Sequence, residues 1–168
     1  MKSKIRYITY AAIIAAVYAV LTMVTWQFSS LAIQVRVAES LCVLILYTPA
    51  AVPGMFVGCL IANMMSGTWV DVIFGSLATL FSAVITKKIS SFGKYLIPLP
   101  TILINTLTIP FVLYYGYGIT AMGSIESKAA CIAIMALSVF IGESISCYGI
   151  GIPLMKAFDR IWPVISRE

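Results

Sequence analysis

Long apolar runs broken by brief polar punctuation make up nearly the whole chain. The runs cover about Tyr7–Thr25, Glu39–Tyr47, Pro53–Ser66, Val70–Thr86, Pro98–Tyr117 and Ala129–Pro153. A helix of roughly 20 apolar residues crosses a bilayer core, so the pattern predicts an all-α integral membrane protein of six transmembrane helices, the second one short. Pro49 and Pro53 bracket the turn after the second span, because proline ends one helix and can begin the next. Pro110 predicts a kink in the fifth. Met155 to Val164 has the spacing of an amphipathic helix resting at the inner interface. Trp26 to Ala38 is polar, partly alternating and too long for a hairpin turn; it fits a binding loop or a passive connector equally well.

Small residues recur every fourth position: Ala11, Ala15 and Ala19 in the first span, Gly54, Gly58 and Ala62 in the third, Gly75, Thr79 and Ala83 in the fourth. Such stripes let helices approach closely where no hydrophobic drive separates protein from lipid. The alanine stripe fits packing within the chain or docking on a partner subunit.

Composition supports the membrane reading. The 168 residues are 61% hydrophobic and 10% charged, and a mean hydropathy of +1.03 is far above that of a soluble domain. Residues 1–168 are therefore expected to form a single transmembrane domain, with no room for a catalytic ectodomain, a nucleotide-binding domain or a nucleic-acid module. The pI of about 9.1 then reports topology. Lys2, Lys4, Arg6, Lys87, Lys88, Lys94, Lys156, Arg160 and Arg167 fall on one side of a six-span arrangement, and only Arg36 and Lys128 on the other. By the positive-inside rule both termini are cytoplasmic. The first run is too long for a typical cleaved leader, so it is expected to be retained.

Several chemistries are set aside by composition. Histidine is absent, which removes imidazole catalysis and histidine-containing metal sites. Cys42, Cys59, Cys131 and Cys147 lack paired spacing and read as small buried hydrophobes, so neither a metal nor a cofactor is expected. Gly93-Lys94 is followed by Tyr95 and lacks the upstream glycine of a phosphate-binding loop. Active transport would need energy from another chain.

Ionisable side chains near a bilayer centre cost about 2.5–3.5 kcal/mol each, so those present are candidates for function. Arg36 and Glu39 enter the second span, Asp71 the fourth, and Glu143 lies well inside the sixth, with Asn63 and Asn105 as amides in the third and fifth. At roughly 1.5 Å per residue, Asn105 sits roughly 10 Å and Glu143 roughly 18 Å from the cytoplasmic ends of their spans. A pocket open to the outer side could gather them all. Each has a plainer role: Arg36 and Glu39 as a neutralising pair, Asp71 as a helix cap, the asparagines as interhelical links, Trp26 and Trp69 in the interfacial belt. Glu143 is the one hardest to explain without a ligand.

Read together, Gln34-Val-Arg36-Val-Ala-Glu39, Pro53-Gly54-Met-Phe-Val-Gly58-Cys59-Leu-Ile-Ala62-Asn63, Asp71-Val-Ile-Phe-Gly75 and Gly142-Glu143 with Cys147-Tyr148 resemble the queuosine-precursor transporter family QueT across nearly the whole chain. Ala38 stands where many members are expected to carry serine. The resemblance implies the substrate-binding S component of an energy-coupling factor (ECF) importer in a bacterial plasma membrane. Such a subunit captures a 7-deazaguanine from outside: the aminomethyl or cyano precursor, or queuine. It docks, in a lipid bilayer, on a transmembrane coupling protein with two ATPase subunits. The resemblance implies Glu143 or Glu39 on the guanine edge, Asn63, Asn105 and Arg36 on the remaining polar atoms, Asp71 near the substituent and Trp69 stacking. It also favours Ala11, Ala15 and Ala19 as the docking stripe. The rival readings are an S component for another vitamin or nucleobase-like compound, a small membrane-embedded enzyme, and a structural subunit.

Overall fold

The computed structural model describes residues 2–25, 35–66, 68–118 and 127–165, all in helices and their connections, with no strand among them. In chain order the helices are α1 (Lys2–Val24), α2 (Val37–Leu46), α3 (Ala51–Ser66), α4 (Ser76–Ile89), α5 (Leu99–Phe111), α6 (Lys128–Ser144) and α7 (Gly151–Ile165). α2 is wound as a 3-10 helix. Three π turns are built in: Asp71–Gly75 leads into α4, Val112–Gly116 extends α5, and Ile145–Ile150 joins α6 to α7. Pro110, where a kink is expected, lies inside α5 just ahead of the change from α to π winding.

Four helical segments are long and apolar enough to cross a membrane: Ser3–Val24, Asp71–Ile89, Lys94–Gly116 and Lys128–Ile165. Val37–Leu46 and Ala51–Met65 are apolar but shorter. Ten 3-10 residues at about 2.0 Å each reach about 20 Å, less than the roughly 30 Å hydrocarbon slab. Residues 38–45 of α2 are all buried, so this short helix is the pillar around which α1, α3, α4 and α7 gather.

The glycines of α3 set the tightest contact. A Cβ at Gly54 would lie 2.8 Å from the Ala11 carbonyl oxygen, and one at Gly58 2.6 Å from the Ala15 carbonyl oxygen and 2.7 Å from Tyr18 Cβ. Ala15 and Ala19 are buried. The alanine stripe expected to dock a partner is therefore largely consumed inside the chain, because backbones this close exclude any third surface. What α1 leaves exposed includes Ala12, Ala16 and Val20.

At the Lys94 end of the bundle, α7 continues α6 through the π turn and packs on α2. Tyr47 Oη lies 2.7 Å from the Met155 carbonyl and 2.8 Å from Asp159 Oδ1, the two acceptors competing for its one proton, while Lys94 Nζ reaches both Asp159 oxygens at 2.8 and 2.9 Å. Tyr10 and Tyr47 pack against the Trp162 ring. The amphipathic spacing of the tail thus resolves into an apolar face on the bundle and a polar face away from it.

Candidate functional site

Two buried carboxylates meet across one guanidinium. Arg36 sits just ahead of α2 in a non-helical conformation and its side chain turns back toward Glu39 in the first turn. The Arg36 Nη2 lies 3.6 Å from Glu39 Oε1 and its Nε 4.0 Å from Glu143 Oε1. Both acids are fully buried, and the arginine side chain is 15% exposed. Burial of charge in an apolar bundle is tolerated only where partners replace water. Glu39 Oε1 accepts from Tyr18 Oη at 2.6 Å and lies 3.2 Å from Thr79 Oγ1, and Glu143 Oε1 accepts from Asn105 Nδ2 at 2.8 Å. Cys147 Sγ is 3.6 Å from both Glu143 Oε2 and the Glu39 carbonyl.

A second cluster surrounds the π turn ahead of α4. Asn63 Nδ2 reaches the Asp71 carbonyl at 3.1 Å, Ser76 Oγ at 3.3 Å and Cys59 Sγ at 3.4 Å. Asn63 is thus spent holding the turn and positions Asp71. Tyr117 donates to Asp71 Oδ2 at 3.1 Å. Gly75 makes room: a Cβ there would collide with Asp71 Oδ1. Thr79 links the clusters, its hydroxyl lying 3.2 Å from the Gly75 carbonyl as well as from Glu39.

The structure brings together Arg36, Glu39, Asn105 and Glu143, and separately Asn63 and Asp71. Trp69 is 78% exposed and joins neither cluster. Gln34 and most of the loop that begins at Trp26 lie outside the described residues. Tyr18, Thr79, Cys147 and Tyr117 were not singled out from the sequence as site residues. Tyr18 carried a usable signal, since it falls on the same helical face as Ala11 and Ala15, where a phenol would otherwise be buried without a partner.

The sequence pattern of the QueT transporter family matches residues 8–160, which takes in every residue of both clusters. The chain belongs to the QueT transporter family. One relative, the queuosine precursor transporter QueT of Lactococcus lactis subsp. cremoris (strain MG1363), is 43% identical over 82 residues. That match spans 47% of this chain and 48% of the relative. No solved structure matches this family member.

Proposed function

We propose that this chain is the substrate-capture subunit of an ECF-type importer for a queuosine precursor. It is a multi-pass protein of a bacterial plasma membrane with six helices in the bilayer and both termini cytoplasmic. The observation that carries the reading is the Glu39–Arg36–Glu143–Asn105 network, with both acids and the amide fully buried among membrane-type helices. Family membership supports transport, and the relative's printed name supports the substrate class. A deazaguanine offers ring N–H and exocyclic NH2 donors beside a carbonyl, which suits a carboxylate next to an amide or guanidinium. The sequence has no ATP-binding loop, so the energy comes from a coupling protein and two ATPases.

Because Ala15 packs on α3 and Ala19 is buried, docking on the coupling protein falls to the rest of α1. Its exposed face with Ala12, Ala16 and Val20 adjoins an apolar groove of about 360 Å³ between α1, α2 and α7, lined by Tyr10, Val17, Leu44 and Phe158 among others.

Isothermal titration with purified protein tests the site. Glu39→Gln and Glu143→Gln are each expected to weaken deazaguanine binding at least tenfold, and unchanged affinity in both would sink the assignment. A thermal-shift panel of deazaguanines and vitamins separates the rival S-component reading.

A further inference from the structure

Among the described residues, every donor that reaches the Glu39 carboxylate converges on one of its oxygens. Oε1 lies 2.6 Å from Tyr18 Oη, 3.2 Å from Thr79 Oγ1 and 3.6 Å from Arg36 Nη2. Oε2 is buried as well and has no hydrogen-bond partner. A carboxylate carries lone pairs on both oxygens, so donors arriving on one of them from α1, α2 and α4 pin that oxygen and leave the other to accept from a ligand.

The three donors are unequal. Thr79 has one proton and a second acceptor at the same distance, the Gly75 carbonyl one turn back. Arg36 stands farther off and is shared with Glu143. Tyr18 makes the shortest contact, at the length of a charge-assisted O–H···O bond.

The phenol comes from another helix, and the helix pair is built to deliver it. Tyr18 lies on α1 and is 1% exposed. Gly58 of α3 has no side chain where a Cβ would lie 2.7 Å from Tyr18 Cβ and 2.6 Å from the Ala15 carbonyl oxygen. Small residues allow close backbone approach, and here that approach sets how deeply Tyr18 enters the bundle.

Resting on the function proposed above, we infer that Tyr18 is a positioning residue for ligand capture. It acts through Glu39, holding Oε1 so that Oε2 is the oxygen left for the deazaguanine. Without the phenol the carboxylate can turn and spend either oxygen on Arg36 or Thr79, and the ligand must then displace an internal donor.

Isothermal titration of the full chain in detergent tests this, using whichever of 7-aminomethyl-7-deazaguanine and 7-cyano-7-deazaguanine wild type binds more tightly. Each variant is held well below its own melting temperature, so that loss of folded protein does not register as loss of affinity. Removing one hydrogen bond to a charged group predicts that Tyr18→Phe binds about fivefold or more weakly. Tyr47→Phe deletes a phenol of the same kind just past the far end of α2 and is expected to stay within about twofold of wild type, as a distant and independent site. On a Glu39→Ala background, adding Tyr18→Phe is expected to cost less than about twofold, because nothing remains for the phenol to position.

Three results overturn the inference while leaving the proposed function standing. These are wild-type affinity in Tyr18→Phe, an equal loss in Tyr18→Phe and Tyr47→Phe, and the full Tyr18→Phe loss persisting on Glu39→Ala. Wild type that binds neither deazaguanine overturns the proposed function and the inference with it. Where Glu39→Ala binds too weakly to titrate, the comparison of Tyr18→Phe with Tyr47→Phe decides. If Tyr18→Phe does not fold, Gly58→Ala takes its place: it displaces the phenol without deleting it, the same loss is expected, and wild-type affinity overturns the inference.

Discussion

Glu39 is held by side chains from two other helices, and each bond makes a separate demand on the residue that supplies it. Tyr18 is the shortest of them at 2.6 Å. Tyr18→Phe keeps the ring that packs near Gly58 and removes only the donor, leaving a buried carboxylate short of one bond. Removing one partner of a buried polar pair costs about 1–3 kcal/mol, so this variant should melt earlier and bind deazaguanines less tightly. None of the four cysteines is in a disulfide and all are buried, so the rise of thiol-reactive dye fluorescence on heating reads that melt directly. At Gly75 a methyl group would push Asp71 from its position. Gly75→Ala should therefore reduce deazaguanine affinity about as much as Asp71→Asn does, measured by isothermal titration. A Gly75→Ala protein that binds like wild type would show that Asp71 can move without loss.

At the scale of elements, the α1–α3 contact and the Lys94–Asp159 pair make opposite predictions. Gly58→Ala places a Cβ 2.6 Å from a backbone carbonyl that cannot swing aside. Overpacking of this kind costs about 1–3 kcal/mol, and the melting temperature should fall accordingly. Lys94 and Asp159 are half exposed and make short contacts, yet exposed ion pairs contribute little once solvent screening and side-chain ordering are counted. A double-mutant cycle on Lys94→Met and Asp159→Asn should give a coupling energy too small to resolve from experimental error. A larger value would mean that the fold of α7 over α2 depends on that pair more than on the Tyr10, Tyr47 and Trp162 rings.

For the whole molecule, capture and energy supply are predicted to separate. In cells that depend on salvaged precursor, deleting the energising module should abolish uptake while the isolated chain still binds ligand. Uptake that persists without the module would end the coupled-transport reading. The proposed docking face predicts in addition that Ala16→Trp, on exposed α1, blocks co-purification with the module and leaves ligand affinity unchanged.

The sequence by itself determined the solvent and the inventory. Apolar run lengths alone called for membrane helices, since hydrophobic length is a one-dimensional quantity, and isolated acids in those runs marked Glu39, Asp71 and Glu143 because their insertion cost is independent of packing. Four-residue glycine and alanine spacing likewise foretold close helix contacts. Which surfaces meet is a three-dimensional matter, and there the tertiary structure decided. It set Ala11 and Ala15 against Gly54 and Gly58, wound the buried α2 as a 3-10 pillar, and left Trp69 outside the clusters. It also recruited Tyr18, Thr79, Cys147 and Tyr117, residues common in membrane helices whose partners lie 21 to 46 positions away in the chain for the two tyrosines and Thr79. Periodicity records what a helix face carries; only the packed bundle sets which donors and acceptors meet, and which buried oxygens such as Glu39 Oε2 and Asp71 Oδ1 are left without a partner.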